Sequence, residues 1–138
     1  MKDFNVIEYI NDEMVVNVHP NNTVCEKRKN LIQRIIKRIF TVQGSNAYNT
    51  TLGGQFNMLF QAVTVEEAEE VKSTFGILLQ PIVDQLKEEQ IPFINQLDAN
   101  EILVDIRLDS CAYDEVFGGF LVNLTVKTKA NEMFTLTI

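Results

Sequence analysis

The sequence predicts an α+β fold, a two-layer sandwich of an antiparallel sheet with two main helices on one face. Two patterns carry that expectation. Apolar residues recur at helical spacing over 24–41 and 65–90, then switch to strict alternation over the last third of the chain. A third observation bounds the size. The chain has 138 residues, 46% hydrophobic and 22% charged, which suits one domain over 1–138 with a core of its own.

The elements follow in order. Residues at about 4–18 read as an N-terminal hairpin, because FNVIEYI and EMVVNV are β-prone and Asn11-Asp12 can turn between them. HPNN follows, with Pro20 blocking an early helix. Thr23 and Glu26 stand at capping-box spacing and predict a helix over about 24–41. On that helix Leu31, Ile32, Ile35, Ile36, Ile39 and Phe40 share one face, and Lys27, Arg34, Lys37 and Arg38 the other. Gly44 is expected to end it as a left-handed C-cap. Gly53-Gly54 then bend the far end of a long polar loop, TVQGSNAYNTTLGGQF, before Phe56, Met58, Leu59 and Phe60 return to apolar packing.

Thr64 and Glu67 form a second capping box, with Glu66, Glu67, Glu69 and Glu70 at the positive end of the helix dipole. Ala68, Val71, Phe75, Leu78, Leu79, Ile82 and Leu86 form the stripe. Pro81 interrupts it. A proline inside a helix costs about 3 kcal/mol, so 65–90 is one kinked helix, or two with Pro81 in the first turn of the second. Three strands close the chain. Ile102, Val104, Ile106 and Leu108 alternate in the first, Phe120, Val122, Leu124 and Val126 in the second, Phe134, Leu136 and Ile138 in the third. KANE, 129–132, is the turn between the last two.

Composition narrows the function. A net charge of −7 argues against nucleic-acid binding through the overall field. The N-terminus has no long apolar run, so neither signal peptide nor membrane span is expected. Cys25 and Cys111 form no CxxC and His19 is the single histidine, which leaves no zinc site and suggests free thiols in a reducing compartment. Cys25 falls in the predicted first helical turn, where the dipole could lower its pKa, although buried packing is the commoner role.

The Gly-rich loop fails as a phosphate cradle. A P-loop needs a lysine after its glycines, and none lies between Lys37 and Lys72. A dinucleotide fingerprint follows a strand, and this loop follows a helix. The carboxylates single out no acid–base pair: the Glu66–Glu70 run belongs to a helix start, and Asp105, Asp109, Asp114 and Glu115 lie along or after a strand. A Ser/His/Asp triad has no support. No catalytic residue, cofactor or metal is expected.

Charge placement points to protein partners. Lys27, Arg28, Lys29, Arg34, Lys37 and Arg38 are six of the twelve basic residues, leaving six against 19 acidic elsewhere, a net of −13. That face is either solvated or a docking face for an acidic partner, its register set by charge. RNA fits less well, since no aromatics interleave. The terminal strand FTLTI is the other candidate. Without a proline to guard it, it could accept a partner's strand at a sheet edge, unless it is an inner strand.

LIQRIIKRIFTVQGSN followed by NTTLGG resembles the helix–loop pattern of the small baseplate wedge proteins of contractile phage tails, the sheath initiators once called lysozyme-like. Ile35, Ile36, Ile39, Thr41, Gly44, Leu52 and Gly53 stand at the matching positions. LKEEQ, LDANEILVDIRL and VNLTVKTKANEMFTLTI resemble the end of the second helix, the lead-in to the sheet and the closing hairpin. The likeness covers most of 28–138 and rests on the order and spacing of its motifs. Many members carry a Glu-Pro-Arg triplet after the second helix that binds the wedge's helical bundle. Here EEQIPFINQ keeps Pro92 alone, so no bundle-contact residue is carried over.

The resemblance implies a non-catalytic virion protein in the tail baseplate, assembled in the host cytoplasm. It would be present in several copies around the tail and would join wedge and tube to the first sheath ring, its sheet exchanging strands with sheath subunits. Expected partners are other baseplate wedge proteins, tail tube and sheath subunits, with no nucleic acid and no membrane. Expected contact residues are Lys27, Arg34, Lys37, Arg38, Gly44, Leu52, Gly53, Gly54, Phe134, Leu136 and Ile138. The alternatives are a regulatory protein-binding module of the same fold, like a bacterial stress anti-adaptor, and, further off, a small glycan hydrolase.

Overall fold

A computed structural model of the chain describes residues 2–4, 7–10, 13–16, 24–54, 56, 68–116 and 119–138. The order is β1 (Lys2–Phe4), β2 (Ile7–Ile10), β3 (Glu13–Val16), β4 (Val24–Glu26), α1 (Arg28–Phe40), α2 (Ala68–Gln90), a 3-10 turn (Ile91–Phe93), β5 (Leu103–Asp114), β6 (Gly119–Thr128) and β7 (Met133–Thr137). The architecture is the expected α+β arrangement, with helices packed on a three-stranded antiparallel sheet ordered β5-β6-β7. The chain also pairs β2 with β3 and β1 with β4, both antiparallel. The turn expected at Asn11-Asp12 and the capping box at Thr64 and Glu67 fall outside the described residues.

The start of α1 corrects the sequence reading. Val24–Glu26 is a strand paired to Lys2–Phe4, and the helix begins at Arg28. Lys27 makes the junction with φ 56, and no side chain caps the helix. A capping box needs its glutamate in the first turn; backbone pairing with β1 takes Glu26 instead. Cys25 therefore lies on a strand, outside any helix dipole.

Helix α2 runs unbroken from Ala68 to Gln90 with Pro81 inside it. Its inward residues, Val71, Phe75, Leu79, Ile82, Val83 and Leu86, meet Leu31, Ile35, Ile36 and Ile39 of α1 and the inner face of the sheet. Each such side chain stabilises the fold by about 1.5–3 kcal/mol on burial, so the packed stripe outweighs the one hydrogen bond the proline cannot make. Phe56, fully buried, lies against Phe75 with ring centroids 4.7 Å apart.

In the sheet, Val122, Leu124, Val126 and Leu136 point inward as their alternation predicts. Strand β5 departs from strict period two. Register shifts between Leu103 and Asp105, and between Leu108 and Ser110, change which residues face the core. Leu103, Ile106 and Cys111 are buried, whereas Val104 is turned outward. A β-bulge adds a residue to one strand and so flips the pleat beyond it. The outer face carries a polar ladder: Thr137 Oγ1 donates to Asn123 Oδ1 (2.8 Å), and Asn123 Nδ2 to Ser110 Oγ (2.8 Å). The turn at 129–132 forms as expected, closed by Thr128 N–H to Glu132 O (3.0 Å), with Asn131 at φ 59.

A buried polar contact joins the layers at one end. Gln90 uses its amide as a strand would, donating to Glu101 O (2.8 Å) and accepting from Leu103 N–H (3.0 Å). Asn30 of α1 donates to the buried Glu101 carboxylate at 2.7 Å. Arg28 lies 5.5 Å over the Phe134 ring and ties the start of α1 to β7.

Candidate interaction surfaces

The segment 41–54, which follows α1, is a closed, internally bonded loop. Helix α1 ends at Phe40 and its C-cap is Thr41, not Gly44: Thr41 N–H and Oγ1 both return to Lys37 O, at 3.0 and 2.6 Å. Gly44 does adopt the left-handed conformation, φ +88, but within a tight turn closed by Ser45 N–H to Val42 O at 3.0 Å. The threonine hydroxyl supplies the termination that the glycine was expected to supply.

At its far end the loop folds back on its own beginning. Gly54 N–H donates to Thr41 O (3.1 Å) and Gln43 N–H to Gly54 O (3.0 Å), forming a parallel bridge between Val42 and Gly54. Gly53 has φ +89, and a Cβ built on it would lie 2.2 Å from Thr41 O, so glycine is required twice over. Gln85 of α2 clamps this stem. Its Oε1 accepts from Gly53 N–H (3.0 Å), and its Nε2 donates to Gly53 O (3.0 Å) and Thr51 O (3.2 Å). The tip is built from Asx turns: Asn46 Oδ1 accepts from Tyr48 and Asn49 N–H, and Asn49 Oδ1 from Thr51 N–H. Tyr48 stands fully exposed on it.

Beside the loop lies a cleft of about 380 Å³ lined by Arg34, Lys37, Arg38, Thr41, Asn46, Leu52 and Glu89. Four of the expected contact residues, Arg34, Lys37, Arg38 and Leu52, thus share one site. The basic face is not a simple solvated surface there. The Arg34 and Arg38 side chains retain only 17% and 14% of their exposure, and both point to Glu89 of α2: Arg38 Nη2 to Oε2 at 2.5 Å, Arg34 Nη1 to Oε1 at 3.5 Å. Lys27 does not join them. It lies ten residues before Lys37, about 15 Å away along the helix.

The sheet edge is the second surface. Strand β7 pairs with β6 alone among the described residues. The pairs Val122/Ile138 and Thr128/Glu132 exchange or carry hydrogen bonds, so the even residues of β7 face β6 and the odd ones, Met133 and Thr135 among them, direct their main-chain groups outward. Leu136 is buried, and Phe134 and Ile138 are partly buried against the core. Those three expected contact residues therefore turn their side chains inward, and what β7 offers a partner is its main chain. The opposite edge, β5, is guarded by its two bulges and by exposed Asp105, Arg107 and Asp109; β7 carries neither bulge nor charge.

The groups screened for chemistry stay apart. Among the described residues no cluster of three or more His, Cys, Asp or Glu could hold a metal, and no helix is long and apolar enough to cross a membrane. Cys111 is a core thiol whose pKa burial pushes up. Asp109 accepts from the Thr125 hydroxyl and from Arg107, and its carboxyl is held below the ordinary aspartate range, chiefly by Thr125.

The sequence reading singles out neither Gln85 nor Glu89, which hold the loop and the arginines, although Glu89 lies within LKEEQ. Both lie one helical turn along from core positions Ile82 and Leu86, at the border of the apolar stripe. A polar residue on that border is the only local mark they carry. Ile91, Phe93 and Ile94, exposed together after α2, carry no periodic signal at all. No family model, curated protein or solved structure matches the chain.

Proposed function

We propose that this chain is a structural protein of a contractile phage tail baseplate, joining the wedge and tube to the first sheath ring by accepting a sheath strand at β7. The single observation that carries the reading is the neutral edge of β7, which among the described residues pairs with β6 alone, in a sandwich whose helix–Gly loop–helix–three-strand order is the one the resemblance implies. An open edge of this kind is a template for another strand, and a soluble protein that leaves one unguarded exposes itself to misassembly. The partners are sheath and tube subunits and other wedge proteins, in several copies around the tail.

The experiment is co-expression of the chain with the tube and sheath proteins of the same tail, followed by recovery of the complex. Truncating β7 would remove Leu136 from the core and confuse folding with docking. Thr135→Pro avoids this, because Thr135 pairs with Thr125 at a position whose N–H faces outward. The variant should keep its cooperative unfolding and lose sheath recruitment. Recruitment at the unsubstituted level by a folded T135P variant would sink strand acceptance at β7. Failure of the unsubstituted chain to retain sheath or tube would sink the baseplate reading.

A further inference from the structure

We propose that an apolar slot beneath the end of β7 takes one leucine- or phenylalanine-sized side chain of the strand that β7 accepts, and so fixes that strand's register. The inference rests on the reading of β7 as a strand acceptor and deepens it, by naming the residue type the partner strand must carry.

The slot has a volume of about 210 Å³ and is lined, among the described residues, by Ile39, Phe40, Phe75, Phe120, Val122 and Ile138. Both helices and the sheet build it. Ile39 and Phe40 close α1, Phe75 stands on α2, Phe120 and Val122 on β6, and Ile138 follows β7. Its floor belongs to the core, since Ile39, Phe75 and Val122 are all buried. Its rim is half open: Phe120 and Ile138 are partly buried, and Phe40 is 48% exposed. The rim is also held in place. The Phe120 ring meets Tyr113 edge-on with centroids 5.5 Å apart, and Ile138 exchanges two main-chain hydrogen bonds with Val122, at 2.9 and 3.2 Å.

Placement decides the occupant. Helix α2 packs over β5. Helix α1 runs along β7, with Arg28 over Phe134 at its start and Phe40 sharing the slot with Ile138 at its end. A strand added to β7 therefore runs along the outer flank of α1. Its side chains alternate between the two faces of the sheet, and its inward row lies about 4.8 Å beyond that of Phe134, Leu136 and Ile138. One inward residue of that row comes to the rim at Ile138 and Phe40.

The slot supplies what the edge alone lacks. Main-chain bonds along β7 repeat every second residue, so a slip of two residues preserves them; a single side-chain site does not tolerate the slip. A small metabolite fits less well. Sites for such ligands orient them with a few convergent polar groups, and every described lining side chain here is apolar. A strand needs none from the slot, because the outward main-chain groups of Met133 and Thr135 orient it. Size selects the side chain. An apolar cavity of about 150 Å³ accepts benzene, so this slot admits leucine or phenylalanine, and alanine would leave most of its walls without contacts.

The test titrates the purified full chain, with isotope-labelled Ile and Val methyls followed by NMR. The first probe is benzene. The second is a pair of blocked peptides, Lys-Thr-Ser-Thr-Leu-Thr-Ser-Thr-Lys and its counterpart with alanine at the centre. Benzene should shift the methyls of Ile39, Val122 and Ile138. The leucine peptide should bind about ten- to fiftyfold tighter than the alanine peptide, the selectivity expected for burying the extra carbons. Ile138→Phe, which fills the slot from its rim, should bind both peptides alike. Thr135→Pro should weaken both peptides and keep the benzene shifts. Urea unfolding checks that each variant folds. Phe40→Ala, at a half-exposed rim position, is a second variant and should also reduce the leucine preference. Equal binding of the two peptides to the unsubstituted chain, binding of neither, or slot methyls that benzene leaves unmoved would each overturn the inference. Shifts of the same methyls on concentrating the chain alone would assign the slot to a second copy and overturn a partner's strand. Leucine selectivity with no sheath or tube recruitment would overturn the baseplate reading alone. Sheath recruitment lost in T135P but undiminished in I138F would overturn the slot alone.

Discussion

Gly44 and Gly53 share nearly the same backbone angle, φ +88 and +89, and differ in surroundings, which makes Gly→Ala at each a controlled pair. The left-handed conformation costs an alanine about 1–2 kcal/mol, and the stiffer unfolded chain returns about 0.4–1 kcal/mol. A Cβ on Gly44 meets nothing within 4 Å, so Gly44→Ala should destabilise by about 1 kcal/mol. On Gly53 the same atom would lie 2.2 Å from Thr41 O, where real contacts do not fall below 3.0 Å. The neighbour is main chain and cannot rotate away, so the two segments must part by about 0.8 Å. That separation breaks Gly54 N–H to Thr41 O and strains the Gln43 and Gln85 bonds beside it. At about 0.5–1.5 kcal/mol for each bond lost, Gly53→Ala should cost about 3 kcal/mol in total. Urea unfolding of both variants, compared at unchanged slope, measures the difference. Equal destabilisation of the two would refute the claim that the stem is closed by main-chain contact.

Other perturbations test the remaining joints. Gln85→Ala removes three partly exposed hydrogen bonds from the stem and should cost about 1–3 kcal/mol. It should also speed protease cleavage within 45–52; an unchanged cleavage rate would mean the loop holds itself closed without the clamp. Asp109 has a depressed folded-state pKa, so its contribution to stability is present above its unfolded pKa and is lost as pH falls through the folded one. Thr125→Val removes the largest cause and should move the Asp109 carboxyl titration upward in an NMR series. A midpoint that stays put would assign the shift to Arg107 instead. Thr135→Pro should leave folding cooperative while abolishing sheath recruitment, for the reason of register given above.

Elements whose apolar residues repeat with one period were legible from the residues themselves. The inner faces of α1, α2, β6 and β7 follow from Leu31–Ile39, Val71–Leu86, Val122–Val126 and Leu136, because each period puts every apolar group on a single side. The α+β class and the turn at 129–132 came with them. Where a local signal competed with pairing to a distant segment, pairing won. Glu26 had the spacing of a cap, yet its backbone joined β1; Gly44 had the character of a C-cap, yet Thr41 ended the helix; Val104 kept the alternation, yet a bulge turned it outward. The basic residues of α1 were visible as composition, and the sequence determined their shared face. Only the tertiary structure decided what that face confronts. Glu89, 51 residues beyond Arg38, and Gln85, 32 beyond Gly53, reach the same site by packing of α2 on α1. No local spacing encodes such a meeting. A cleft is made by two elements brought together, and the helix that supplies its cations holds no record of the carboxylate and the loop that enclose them.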